Sequence, residues 1–150
     1  MGAITLSADE KYLYAVNLYK NTLVKIPTDS NDFDNIEEIS IPNPGCTGGK
    51  MHPFALKTHN GKLYVGVSCS AEYSKKEADN TIYIYEYNFK NKRIFRNIFS
   101  SDYPKGYFHN EPSYDVHTQH WLTDLDFTDE GNIVIVLNDR DRHRYCKGTM

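Results

Sequence analysis

The sequence predicts an all-β protein made of antiparallel four-stranded blades of a β-propeller, about two and a half of them, cut from a larger ring. Three observations predict it. First, a strand–turn–strand unit recurs: Leu6 to Asn17 (LSADEKYLYAVN), Leu56 to Val67 (LKTHNGKLYVGV) and Phe127 to Asn138 (FTDEGNIVIVLN), and repeats at this spacing are the mark of propellers and solenoids. Second, apolar residues alternate with period two, as in Leu63, Val65 and Val67, the signature of a strand with one buried face. Third, 12 of the 150 residues are Tyr and the aromatic share is 13%, which suits half-buried strands.

The elements follow in chain order. Blade one covers about residues 3–41: a first hairpin across Ala8-Asp9-Glu10-Lys11, then strand-like runs from Asn21 to Ile26 and Asn35 to Ile41. Blade two covers about 52–99. Its hairpin turns on Asn60-Gly61, a pair that supplies the positive φ of a tight turn, and it continues with Thr81 to Tyr87 and Lys92 to Phe99. On Thr81 to Tyr87, Ile82 and Ile84 face one way and Tyr83, Tyr85 and Tyr87 the other, the tyrosines packing between blades rather than forming a sugar-stacking platform. A long connection, 100–120 (SSDYPKGYFHNEPSYDVHTQH), has no strand pattern, and loops of that length are functional or disordered. A half blade, about 121–138, ends the pattern, with Ile133 to Leu137 apolar on both faces as in a strand between two sheets. Rings close with roughly four to eight blades, so the chain reads as a portion of a larger propeller or as one completed by other chains. The N-terminal stretch has neither a basic region nor an apolar core, so it is not a signal peptide, and both ends read as cuts through a longer polypeptide.

Composition removes several classes. A net charge of −3 offers no cationic surface to nucleic-acid phosphates. Mean hydropathy is −0.63, and no apolar run approaches the roughly 18 residues of a membrane span. Charged residues at 25% are an ordinary globular share. The three cysteines, Cys46, Cys69 and Cys146, include no Cys-x-x-Cys pair, which argues against a structural zinc site.

The stretch IPNPGCTGGKMHPFALKTHNGKLYVGVSCSAE, with DYPKG, Trp121 and DLDFTDEGNIVIVLNDRDRH after it, resembles a repeat region of large cell-surface proteins of Bacteroidetes and cyanobacteria. Those proteins join a β-propeller to adhesin-type or prealbumin-like B modules. The specific parts of the resemblance are the two cysteine contexts and the Asp-Arg-x-x-His at Asp139, Arg140 and His143. It implies secretion, an extracellular or cell-surface location and a binding role.

Blade geometry adds a placement independent of that resemblance. A first strand runs from one rim to the other and the second returns, so residues before strand one and after strand two share a rim. In the second unit Cys46 and His52 precede the first strand, while Cys69, Ser70 and Glu72 follow the second. Cys46 and Cys69 therefore fall within the roughly 4.4–6.8 Å between Cα atoms that a bridge needs, and a Cys46–Cys69 disulfide is expected, worth about 3 kcal/mol by chain entropy. The same rule sets His120 and Trp121 beside Asn138, Asp139, Arg140 and His143, puts Asn17 and Lys20 on that rim in the first unit, and brings His109 and His117 toward it on the long connection. The candidate ligand-binding rim is thus His52, Glu72, His120, Trp121, Asp139, Arg140 and His143.

Catalytic signatures are sparse in the sequence. There is no Gly-x-Ser-x-Gly elbow and no His-Glu-x-x-His. Gly45-Cys46-Thr47-Gly48-Gly49-Lys50 lacks phosphate-loop spacing and reads as an irregular connection. Asp124 and Asp126 share a face and cap turns rather than bind calcium with Asp129, because the calcium-loop pattern is missing. Glu86 reads as an exposed edge charge. No catalytic residue, metal ligand or cofactor is assigned. The function expected is a non-catalytic binding or scaffold module whose rim contacts a protein or glycan partner, or the remaining blades of its parent, with no nucleic acid and no membrane insertion. The alternative is a propeller-type hydrolase or lyase, with a His/Asp/Arg site on the same rim that works with or without a divalent cation.

Overall fold

The computed structural model describes residues 1–29, 35–74, 76–88, 95–102 and 120–139. Over these the chain is all-β, with every strand pairing antiparallel. The first sheet is a meander of β1 (Ile4–Leu6), β2 (Tyr12–Asn17), β3 (Thr22–Pro27) and β4 (Glu37–Ser40). The central sheet repeats that order with β5 (Met51–His59), β6 (Lys62–Cys69), β7 (Thr81–Tyr87) and β8 (Phe95–Asp102). The last sheet pairs β9 (His120–Phe127) with β10 (Ile133–Asp139).

The hairpins form where the turn chemistry allows. Asn60 and Gly61 both have positive φ, 47° and 69°, and join His59 to its partner Lys62 in a two-residue loop, the geometry that matches strand twist. In the first sheet Glu10 carries the positive φ, 58°, while Ser7 Oγ accepts from the Tyr12 amide and donates to Asp9. Pro53 is tolerated inside β5 because the β5–β6 register shifts between Pro53 and Leu56, and bulges are where strands accept proline.

The three sheets stack face to face. One apolar cluster joins Tyr14, Val16, Leu23 and Ile39 of the first sheet to Met51, Leu56, Leu63, Val65, Val67, Tyr85 and Tyr87 of the central one. A second joins Ala55, Tyr64, Ile82 and Ile84 to Leu122 and Leu125, with Phe127, Ile135 and Leu137 packed against it. The alternation on β6 and β7 divides the central sheet between its neighbours. Tyr85 and Tyr87 are core residues, with Tyr83 against them, so the tyrosines pack between sheets. Burial raises the pKa of Tyr14 and Tyr85 by penalising the phenolate. First strands of successive sheets lie together: the Ala3 amide donates to the Phe54 carbonyl (2.9 Å) and Thr58 Oγ1 to the Leu6 carbonyl (2.7 Å). Gly66 faces β9, where a Cβ would meet Leu122 and Ala55, and buried Ser68 Oγ accepts from the Leu122 amide at 2.8 Å.

Several expectations are corrected. His52 does not precede the first strand of its unit but lies within β5. The strand expected to end at Phe99 runs on to Asp102, because β7 offers it partners as far as Thr81; its expected start at Lys92 and residues 103–119 of the long connection lie outside the described residues. His120 opens β9 rather than closing that loop. Ile133 to Leu137 is not covered on both faces, since Val134 and Val136 are exposed while Ile135 and Leu137 pack on the central sheet. Among the described residues only the central sheet lies against this strand, so one of its two apolar faces stays exposed.

Candidate functional site

The ends of β2, β6 and β10 and the starts of β1, β5 and β9 share one rim. Its scaffold is the irregular connection 41–50. Asn43 Oδ1 accepts from the Gly45 and Cys46 amides at 2.9 and 3.0 Å, an Asx turn that starts the loop. Cys46 is then bonded to Cys69 at the end of β6, with 5.2 Å between Cα atoms. The glycines are present because the loop is tightly packed: a Cβ on Gly48 would meet Asp79 and Ser74, and one on Gly49 would meet Ser70. The Gly48 carbonyl accepts from the Tyr73 and Ser74 amides. Ser70 exchanges backbone and side-chain hydrogen bonds with Lys50, at 2.9 Å each. The loop is therefore fixed at both of its contacts with the chain after β6.

Beside this scaffold, His52 of β5 stacks on Trp121 of β9, ring centroids 4.8 Å apart at 23°, with Phe54 tilted against the same indole at 6.3 Å. The two residues are distant in sequence and meet because β5 and β9 are neighbours. Lys50 Nζ lies 3.7 Å from half-buried Glu72 and 5.7 Å from the centre of the exposed Tyr73 ring. Hydrogen bonding to Tyr73, with Tyr73 and Glu72 charge adding to it, holds the Lys50 ammonium above its ordinary pKa. The result is a half-buried aromatic cluster of Trp121, His52 and Phe54, on the rim that also carries the Lys50–Glu72 ion pair.

The other rim candidates fall as follows. His120 and Asp139 pair across β9 and β10, next to the Trp121–Asn138 pair. Arg140, His143, His109 and His117 lie outside the described residues. Asn17 is taken up in its turn, Oδ1 accepting from the Tyr19 and Lys20 amides, and Lys20 pairs with Glu38 at 3.0 Å. Among the described residues no three His, Cys, Asp or Glu side chains gather to hold a metal ion. Asp124 and Asp126 each accept from the next amide at 2.8 Å, and Asp126 pairs with Lys57 at 2.8 Å. Glu86 is not an exposed edge charge: it is largely covered, and accepts from Lys62 Nζ (3.0 Å) and Tyr64 Oη (3.4 Å), because β6 and β7 bring those groups opposite it.

Sequence reasoning passed over Lys50, Tyr73 and Phe54. The alternation His52-Pro53-Phe54 places Phe54 with His52, so that residue was within reach. Tyr73 sits in the excursion between β6 and β7, whose path no periodicity announces.

No protein-family profile matches the chain, and no solved structure does. The chain is similar to Colossin-C of Dictyostelium discoideum, 35% identical over 99 residues, which is 65% of this chain and 10% of that protein. It thus spans about a tenth of the length of the curated relative it matches. This overturns the expected membership of a bacterial cell-surface family, since the similarity found is to a eukaryotic protein. In the first cysteine context, Gly48 and Gly49 have a local cause, the close packing of the loop.

Proposed function

We propose that the chain is a non-catalytic binding or scaffold module, its sheets being successive blades of a propeller arranged radially, about 3–41, 52–99 and 121–138. Two complete four-stranded meanders stacked face to face, with their first strands side by side, support that arrangement. Protein or glycan partners are contacted through the rim of His52, Glu72 and Trp121. The observation that carries this reading is the His52–Trp121 stack, a half-buried aromatic pair assembled from two sheets next to a loop braced by Cys46–Cys69. Rigid aromatic side chains give large contact area at small entropic cost, and an adjacent ion pair supplies orientation. An extracellular location is part of the proposal. The disulfide supports it, and no helix among the described residues is long and apolar enough to cross a membrane. Nothing among the described residues favours the hydrolase or lyase alternative, whose Arg140 and His143 lie outside them.

The test is binding to arrays of glycans and extracellular proteins. Retained binding by a Lys20→Ala variant, with loss of roughly tenfold or more in Trp121→Ala and Glu72→Ala, is the expected result. An array with no binder, or one whose binders ignore Trp121, overturns it.

A further inference from the structure

We infer that the rim takes a protein partner rather than a glycan, and that Tyr19 and Tyr73 are the side chains that enter that partner's surface. This rests on the reading of the rim as a binding surface; it names the contact residues and the class of partner.

The His52–Trp121 pair is half-buried, so it offers a partner only part of its area. Among the described side chains, the aromatic ones left exposed are Tyr19, at 95%, and Tyr73, at 65%. Both lie on the rim, in the chain that follows the second strand of a sheet: Tyr19 after β2 and Tyr73 after β6.

The turn that carries Tyr19 is fixed at each of its other residues. Asn17 Oδ1 accepts from the Tyr19 and Lys20 amides at 3.1 and 3.2 Å. Leu18 packs against the core. Lys20 Nζ donates to both carboxylate oxygens of Glu38 at 3.0 Å. Asn21 takes the positive φ, 55°, and its carbonyl accepts from the Ile41 amide. The turn also adjoins the aromatic cluster. A Cβ on Gly2 would meet Leu18 Cδ2 at 3.2 Å and the Phe54 carbonyl at 3.1 Å, and Phe54 lies against Trp121. Tyr73 is held in a similar way. Its amide donates to the Gly48 carbonyl at 3.0 Å, within the loop that the disulfide braces, and Lys50 Nζ sits 5.7 Å from its ring centre. Two successive sheets thus present one constellation: an exposed tyrosine beside a Lys–Glu ion pair, Lys20–Glu38 in the first and Lys50–Glu72 in the second.

An aromatic ring on a backbone already fixed loses little conformational entropy on binding. Seated in a recess of a partner protein, such rings carry much of the energy of an interface. A glycan asks for something else, a concave site with polar groups converging on its hydroxyls. Tyr19 is instead at the apex of a turn, and the polar residues flanking it, Asn17 and Lys20, are engaged within the chain. The two tyrosines come from different sheets, and stacked sheets lie roughly 10 Å apart. Both therefore fit in the patch of about 800 Å² that one partner contributes to an ordinary protein interface.

The full chain, applied to arrays of extracellular proteins and of glycans, tests this, with binder affinities compared across Tyr19→Ala, Tyr73→Ala, Trp121→Ala, Glu72→Ala and Ile36→Ala. Binders are expected on the protein array, and each tyrosine variant is expected to weaken them by roughly tenfold or more. Tyr19→Ala is expected to keep the wild-type thermal midpoint, since its ring is exposed. Ile36→Ala, an exposed apolar site at the opposite rim, is expected to bind as wild type. Binding to glycans alone, a loss in Ile36→Ala equal to that in the tyrosine variants, or protein binders that respond to Trp121→Ala and Glu72→Ala yet keep their affinity for either tyrosine variant overturns this inference and leaves the rim reading standing. Arrays with no binder, or binders indifferent to Trp121, overturn the rim reading and this inference with it.

Discussion

The first and central sheets share a strand order and a hairpin pattern, yet they differ in what covers them. Every residue of β6 from Leu63 to Cys69 is buried, whereas on β2 only Tyr14, Ala15 and Val16 are. The topology is the same, so the difference lies in neighbours: among the described residues the central sheet has one on each face, the first sheet on one. The comparison teaches that in a stack of this kind a strand's stability comes mainly from the sheets beside it, because hydrophobic stabilisation scales with the area removed from water.

The largest expected effect compares equivalent leucines. Leu63→Ala, at a fully buried site, is expected to cost about 2–5 kcal/mol, and Leu13→Ala, at a half-buried one, about 1 kcal/mol. Urea unfolding midpoints measure both, and equal losses would break the comparison. Next, replacing Cys46 and Cys69 together by Ser releases the 41–50 connection from β6; a loss of about 3 kcal/mol is expected, visible as a lower thermal midpoint that reducing agent no longer moves. Third, Ser68→Ala removes the acceptor of the buried Leu122 amide, and an unsatisfied buried donor costs about 1–3 kcal/mol. The same change at half-buried Ser7, whose Oγ accepts from the part-buried Tyr12 amide, is expected to cost less, which sharpens the contrast between the interior and its margin.

The smallest effect is one of pH. Asp126 is held below the ordinary carboxylate range chiefly by its hydrogen bond from Lys57, with the Phe127 amide adding to it. A depressed folded-state pKa contributes stability that is present above the unfolded value and lost as pH falls through the folded one. The stability gap between wild type and Asp126→Asn is therefore expected to be constant above about pH 5 and to close on acidification below about pH 4. Because the pair is exposed, the gap is small, and urea titrations at several pH values measure it.

Much of this architecture could be read from residues alone, for reasons that are local. Asn60-Gly61 announces its turn, alternation assigns the faces of Leu63–Val67 and Thr81–Tyr87, and the return of the second strand brings Cys46 to Cys69. The exposure of Val134 and Val136 was not legible, because it depends on which sheets neighbour β10 rather than on its own alternation. Nor was the extension of β8 to Asp102, which follows from the partner strand. Of the rim, the rule of shared ends brought His52 near Trp121. The stacking itself depends on β5 and β9 being adjacent, a tertiary fact that no short window of residues contains. Glu86 was misjudged for the same reason, its partners Lys62 and Tyr64 being on another strand.

The central claim is that neighbouring sheets protect both faces of the central one. Native-state hydrogen exchange tests it on β6 and β2, each the second strand of its meander and paired on both sides. The amides of β6 are predicted to exchange only through global unfolding and those of β2 measurably faster. Exchange from β2 as slow as from β6, or slower, would contradict the account.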